Sequence, residues 1–296
     1  MPFLSDPAWG GMCAVGSALC WAVIGLLIRA LSPSFNSVTL NAVRSTMGGA
    51  VIVAWVLATG GLAELTAMSL KAWTLLSVSV LMAVGIGDTV FFESTRVLGL
   101  ARAMTVSMTY PLIAALLAAL FLGERLTPRI GVGSLVTLGG LGLTVSARPA
   151  GGAGGPRSWQ GIGAASLASL AWAVSTVVLK PSLDEVDAVR AQAIRLPVAA
   201  ALLWATPWAW RAGGALTRPG LPALWRLLAL GGLTALSSIM FVAGVRYAGV
   251  AVGTVLSSTA PLFAIPLGLI FLGERVPSLA VVGAITTIVG IAVLQL

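Results

Sequence analysis

The pentapeptide Phe121-Leu122-Gly123-Glu124-Arg125 returns unchanged as Phe271-Leu272-Gly273-Glu274-Arg275, 150 positions further along the chain. In register with it, Pro111 pairs with Pro261, Gly133 with Gly283 and Gly140 with Gly290. Nearer the start of each copy the offset is 151: Trp21-Ala22-Val23 matches Trp172-Ala173-Val174, and Arg44 matches Arg195. So many uncommon residues in one register mark an internal duplication, and the fold must use one helical unit twice.

Each copy is a succession of apolar runs. Of 296 residues 58% are hydrophobic and 9% charged, against about 25% charged in soluble domains. Mean hydropathy is +1.02. These values exclude a soluble domain, a disordered chain and a disulfide scaffold. Runs of the length that crosses a bilayer, about 20 residues, fall near 9–31, 36–58, 70–92, 99–122, 128–146, 158–179, 187–209, 223–245, 249–272 and 277–295. Turn residues separate them, among them Ser32-Pro33-Ser34, Gly60-Gly61, Pro128, Pro181, Arg218-Pro219-Gly220 and Pro277. The expected fold is an all-α integral membrane protein with ten transmembrane helices. A first repeat over 1–148 and a second over 158–296 are joined by a Gly/Pro linker, 149–157.

Five spans per copy is an odd number, so the second copy enters the membrane from the opposite side. Inverted repeats of this kind build a shared cavity near the bilayer midplane, exposed to each side in turn. The net charge of +8 does not indicate nucleic-acid binding, because the basic residues are spread thinly between apolar runs. With no histidine in the chain, histidine-ligated metals and histidine acid–base chemistry are excluded. No metal, cofactor or catalytic group is expected, and no phosphate-binding loop is present. Cys13 and Cys20 read as small buried hydrophobes. Trp9, Trp73, Trp159, Trp208, Trp210 and Trp225 stand near span ends as interface anchors.

Ionisable groups inside spans are costly and point to function. Asp88 lies among Gly85, Gly87 and Thr89, and its repeat partner is Ser238, so this charge belongs to one half only. Such a carboxylate can hold a substrate ammonium or exchange protons; the alternative is a structural ion pair. Arg44 and Arg195 lie inside the second and seventh spans, where each either snorkels to the interface or holds a substrate carboxylate through its planar fork. Thr254, Ser257, Ser258 and Pro261 follow i, i+3, i+4, i+7 spacing and form one stripe. Met104, Ser107, Met108 and Pro111 occupy the same positions in the first copy. These stripes are expected to line the substrate pathway together with Tyr110, Trp21 and Trp172, with Pro111 and Pro261 as hinges. Glu124 and Glu274 are expected to cap or anchor loops. Gly133, Gly140, Gly283 and Gly290 are expected to seat one helix against another.

A tryptophan in the first helix, an arginine early in the second, a proline midway along the fourth, then LGER and a glycine-rich fifth helix, all duplicated, resemble the drug/metabolite transporter superfamily, most closely its EamA branch. The resemblance covers essentially the whole chain. It implies a ten-helix exporter of amino acids or related metabolites, with the aromatic amino-acid exporters as the first members to compare. A secondary transporter working by alternating access is therefore expected; the alternatives are a channel-like pore and an intramembrane enzyme. The expected partners are the lipid bilayer and a small-molecule substrate, with no nucleic acid, and a monomer is favoured. The resemblance implies cytoplasmic termini, in a bacterial inner membrane. Loop charge points the other way: the side holding both termini carries six basic residues and the other side nine, with Arg44 and Arg195 inside spans.

Overall fold

A computed structural model describes residues 6–31, 34–98, 103, 106–107, 109–146, 156–212, 220–260, 262–263, 266–267 and 278–295. Helices α1 (Asp6–Leu31) and α2 (Ser37–Ala58) open the first half. Helix α3 runs through Leu70–Val80, a π-helical stretch Leu81–Asp88, and Thr89–Leu98. The described body of α4 is Tyr110–Leu122, and α5 is Pro128–Ser146. The second half holds α6 (Pro156–Leu179), α7 (Ala188–Trp204), the long element Leu221–Ser257, and α10 (Ser278–Gln295). At 1.5 Å per residue the 37-residue element would measure about 55 Å, well over a hydrocarbon core of about 30 Å. It is two helices, α8 over 221–248 and α9 from 250, broken at Gly249 with φ 82° and ψ 168°, a backbone region reserved to glycine.

The same caps recur in both copies. Asn36 Oδ1 accepts the Thr39 amide at the start of α2. Asp187, at the matching position, accepts the amides of Val189 and Arg190 at the start of α7. Linker residues 149–155 lie outside the described residues, while Pro156 and Arg157 already belong to α6, proline filling a first-turn position that needs no amide donor. The six tryptophans expected at span ends are all exposed there. Cys13 and Cys20 are free and buried on α1.

Packing follows a pseudo-two-fold pattern. Helix α1 packs along α8 and α9, and its counterpart α6 packs along α3 and α4; α2 meets α7, and α5 meets α10. In the last pair the glycines sit at the crossing. A Cβ on Gly140 would stand 2.4 Å from the Thr287 amide nitrogen, and one on Gly290 would stand 2.4 Å from that of Thr137. Gly133 and Gly283 are buried on the same helices, and their carbonyls accept the hydroxyls of Thr137 and Thr287. Gly140→Ala is expected to destabilise by about 1–3 kcal/mol, as overpacking does, visible as a lower Tm in detergent. Gly139→Ala, whose Cβ would touch nothing within 4 Å, is the control and leaves Tm unchanged.

The π-helical stretch reconciles the two repeat offsets. Buried Leu76, Ser79 and Val80 correspond to buried Leu227, Leu230 and Gly231 at an offset of 151. Past the stretch, buried Val84 and Gly87 correspond to buried Thr234 and Ser237 at 150. One additional residue in α3 is absorbed by widening the helix, as π-bulges do. The Val84 carbonyl then accepts the Asn41 side-chain amide of α2 at 2.9 Å.

Candidate functional site

The first four helices of each half surround a cavity of about 160 Å³, lined by residues of α1–α4 and α6–α9. Among the described residues the α5–α10 pair contributes none of its lining. Helices α4 and α9 are both interrupted at its wall. In α4 the chain turns at Thr109, whose carbonyl accepts the Leu112 amide at 3.1 Å. In α9 it turns at Ser258 and Thr259, and the Thr259 carbonyl accepts the Leu262 amide at 2.9 Å. Pro111 is therefore not midway in a continuous helix over 99–122, as the sequence led one to expect. It occupies the first turn of Tyr110–Leu122, where its missing amide proton costs nothing. Pro261, Glu274, Met104 and Met108 lie outside the described residues.

One wall carries an ion pair. The Arg44 guanidinium donates to Asp88 Oδ2 through Nη2 and to Asn41 Oδ1 through Nε at 2.8 Å. Trp172 Nε1 donates to the other carboxylate oxygen, Asp88 Oδ1, at 2.9 Å. The Arg44 guanidinium also faces the Trp21 ring at 5.2 Å, within cation–π range. Gly87 makes room for this arrangement, since a Cβ there would lie 2.5 Å from Trp172 Nε1. Both arginines line the cavity and are almost wholly buried, so neither snorkels.

The opposite half repeats the scaffold without the acid. Arg195 Nε donates to Ser79 Oγ at 3.0 Å, and Nη1 to Gln192 Oε1 at 3.3 Å. Nη2 reaches Ser175 Oγ at 3.5 Å. Gln192 stands three residues before Arg195 as Asn41 stands three before Arg44, and its amide donates to the Ser238 carbonyl at 2.8 Å. All of these partners are neutral, and among the described residues no carboxylate lies within ion-pair distance of Arg195.

Of the residues expected along the pathway, Trp21, Asp88, Tyr110, Trp172, Ser257 and Ser258 line the cavity. Tyr110 donates its hydroxyl to the Thr254 carbonyl at 3.1 Å and sets its ring edge-on to Trp172 at 5.7 Å. Ser107 and Thr254 are buried behind the wall instead. Ser107 donates to the Ala165 carbonyl, and Thr254 to the Val250 carbonyl of its own helix. Glu124 reaches across the break before α9, accepting the Val250 amide at 2.9 Å and the Ala251 amide at 3.4 Å. On the other side of the break, Lys180 Nζ donates to the carbonyls of Val245 and Arg246.

Sequence reading missed Thr234, Ser237, Ser238 and Phe241, which line the cavity from α8. Their i, i+3, i+4, i+7 spacing is the one used to find the stripe on α9, so that signal was present. Among the described residues, Thr234 Oγ1 and Ser257 Oγ are buried without a hydrogen-bond partner. Buried polar atoms are otherwise almost always bonded.

Two halves paired about a pseudo-two-fold axis, with interrupted helices facing a largely apolar cavity that holds a few charged and hydroxyl side chains, define a duplicated helical membrane protein built on a carrier-type plan. The chain belongs to the EamA-like transporter family of the drug/metabolite transporter superfamily, whose family model matches residues 8–146 and 159–296. That family is a class of transporters and not of enzymes. The chain is 32% identical over 149 residues to an uncharacterized protein of Pseudomonas aeruginosa, a match covering 50% of this chain. The matched segment spans about half the length of that curated relative, 50%. A solved crystal structure superposes with a TM-score of 0.80 at 22% identity, covering 96% of this chain and 94% of the other. That likeness concerns the fold.

Proposed function

We propose that the protein exports amino acids or related small metabolites by alternating access. The observation that carries this reading is the cavity's construction. It is built from equivalent helices of both halves, with α4 and α9 interrupted at equivalent places beside it. Interrupted helices in corresponding positions are the usual location of a carrier's substrate site. In this reading 1–148 and 158–296 are the two moving units, 149–157 joins them, and the monomer is the working form. The membrane is a bacterial inner membrane with both termini in the cytoplasm. The presence of a relative in Pseudomonas aeruginosa supports that location.

The test is uptake of a labelled amino-acid panel, aromatic members included, by proteoliposomes of the purified protein. A carrier gives saturable flux that is accelerated by unlabelled substrate on the far side; a pore gives neither. Ser258→Leu, which puts bulk into the cavity wall, is expected to cut flux at least about tenfold while leaving Tm within a few degrees. Absence of saturable flux for the whole panel would refute export of amino acids. Labelling of single cysteines placed beside Glu124 and Glu274 tests the topology. The expected result is labelling from opposite sides, with the Glu124 site cytoplasmic.

A further inference from the structure

We propose that Arg195 is the anchor for a carboxylate of the transported molecule, so that the cavity recognises small monocarboxylates with apolar bodies and does not require an amino group. The inference deepens the transport reading above and rests on it only for the word transported.

Charge sets the argument. The cavity holds Arg44, Asp88 and Arg195. The first two neutralise each other, and both oxygens of Asp88 are already taken, one by Arg44 and one by Trp172. An incoming ammonium would have to displace a bidentate set of charged and neutral donors to reach that acid. Arg195 is 4% exposed, and among the described residues its bonds go to a carboxamide oxygen and two serine hydroxyls. The position that would supply its acid by repeat symmetry is Ser238. A buried cation with only neutral partners keeps much of its desolvation penalty, and an anion placed beside it offsets that penalty.

Two further atoms point to the same kind of ligand. The unpartnered hydroxyls of Thr234 and Ser257 belong to the cavity lining, and each is a donor for a ligand oxygen. Around them Trp21, Trp172, Tyr110 and Phe241 supply aromatic surface. An arginine fork, two spare hydroxyl donors and aromatic walls suit a carboxylate on an apolar or aromatic body.

The experiment measures binding to the full-length protein in detergent by calorimetry. Four probes share one ring and differ in head group: 3-phenylpropionate, phenylalanine, phenylpyruvate and 2-phenylethylamine. The three carboxylates are expected to bind and the amine to bind at least about tenfold more weakly. Arg195→Gln should weaken the carboxylates about 10- to 100-fold, the range of a charge-assisted hydrogen bond. Arg195→Lys should retain part of the affinity. Because Arg195 makes no direct ion pair among the described residues, and glutamine retains an amide donor toward its neutral partners, Arg195→Gln is expected to leave Tm within a few degrees, so lost binding is not lost folding. Binding of the amine equal to that of phenylpropionate overturns the proposal. So does failure of all three acids to bind, or a folded Arg195→Gln with unchanged Kd. Arg195-dependent binding without flux in vesicles supports the anchor and instead removes the transport reading.

Discussion

Arg44→Met is expected to lower the stability of the protein by about 3–5 kcal/mol, the cost of removing one partner from a buried ion pair. Methionine keeps most of the volume of the side chain, so little of the loss comes from a cavity. What remains is Asp88, 6% exposed, in an apolar wall where, among the described residues, the Trp172 indole at 2.9 Å is its other hydrogen-bond partner. Asp88→Leu is expected to fail in the same way from the other side, by leaving Arg44 without its anion. Arg44→Met/Asp88→Leu should recover most of the loss, because apolar replacement of both members is often neutral. Thermal unfolding of the four forms gives a double-mutant cycle. Additive losses would show that the two charges do not depend on each other. The contrast with Arg195→Gln is the informative part: equivalent arginines in the two copies should differ in how much of the stability depends on them.

Glu124→Ala should cost about 2 kcal/mol, from the loss of an anion at a helix N-terminus and the stranding of amides it accepted. Those amides, Val250 and Ala251, begin α9 just after the Gly249 break. Hydrogen exchange provides the local reading, with both amides expected to lose protection while the α5–α10 crossing keeps its own. Glu124→Gln retains an acceptor and should lose less. Unchanged protection at Val250 in Glu124→Ala would mean that the glutamate does not hold the helix start. In the first copy the glutamate of LGER is thus explained by a contact with a helix start 126 residues further along the chain.

Much of the architecture was legible because bilayer crossing demands long apolar runs and because the duplication sets their number and order. Boundaries failed where the backbone turns without a polar break. Thr109 interrupts an apolar stretch that reads as one helix, and Pro111 could be placed as a hinge or as a helix start with equal justice from composition alone. The arginines were visible as buried charges, yet their partners were not. Which acid meets Arg44 depends on how α2 faces α3, and no periodicity within either helix encodes that. Asn41 and Gln192 did carry a signal, since each precedes its arginine by three residues in both copies. The change of offset from 151 to 150 was equally plain in the sequence. Its cause, a widened turn at Leu81–Asp88, needed the backbone.

That widened turn has a bearing on the energetics of the alternating-access cycle proposed above. If the two copies were identical, exchanging their conformations would regenerate the same object viewed upside down, and the two arrangements would be equal in free energy. One surplus residue in α3, with no counterpart in α8, removes this degeneracy. It does so at the helix that also carries the unmatched acid, so backbone and charge break the symmetry together. A carrier assembled this way has a built-in resting preference, and a gradient must work against that bias in one direction and with it in the other.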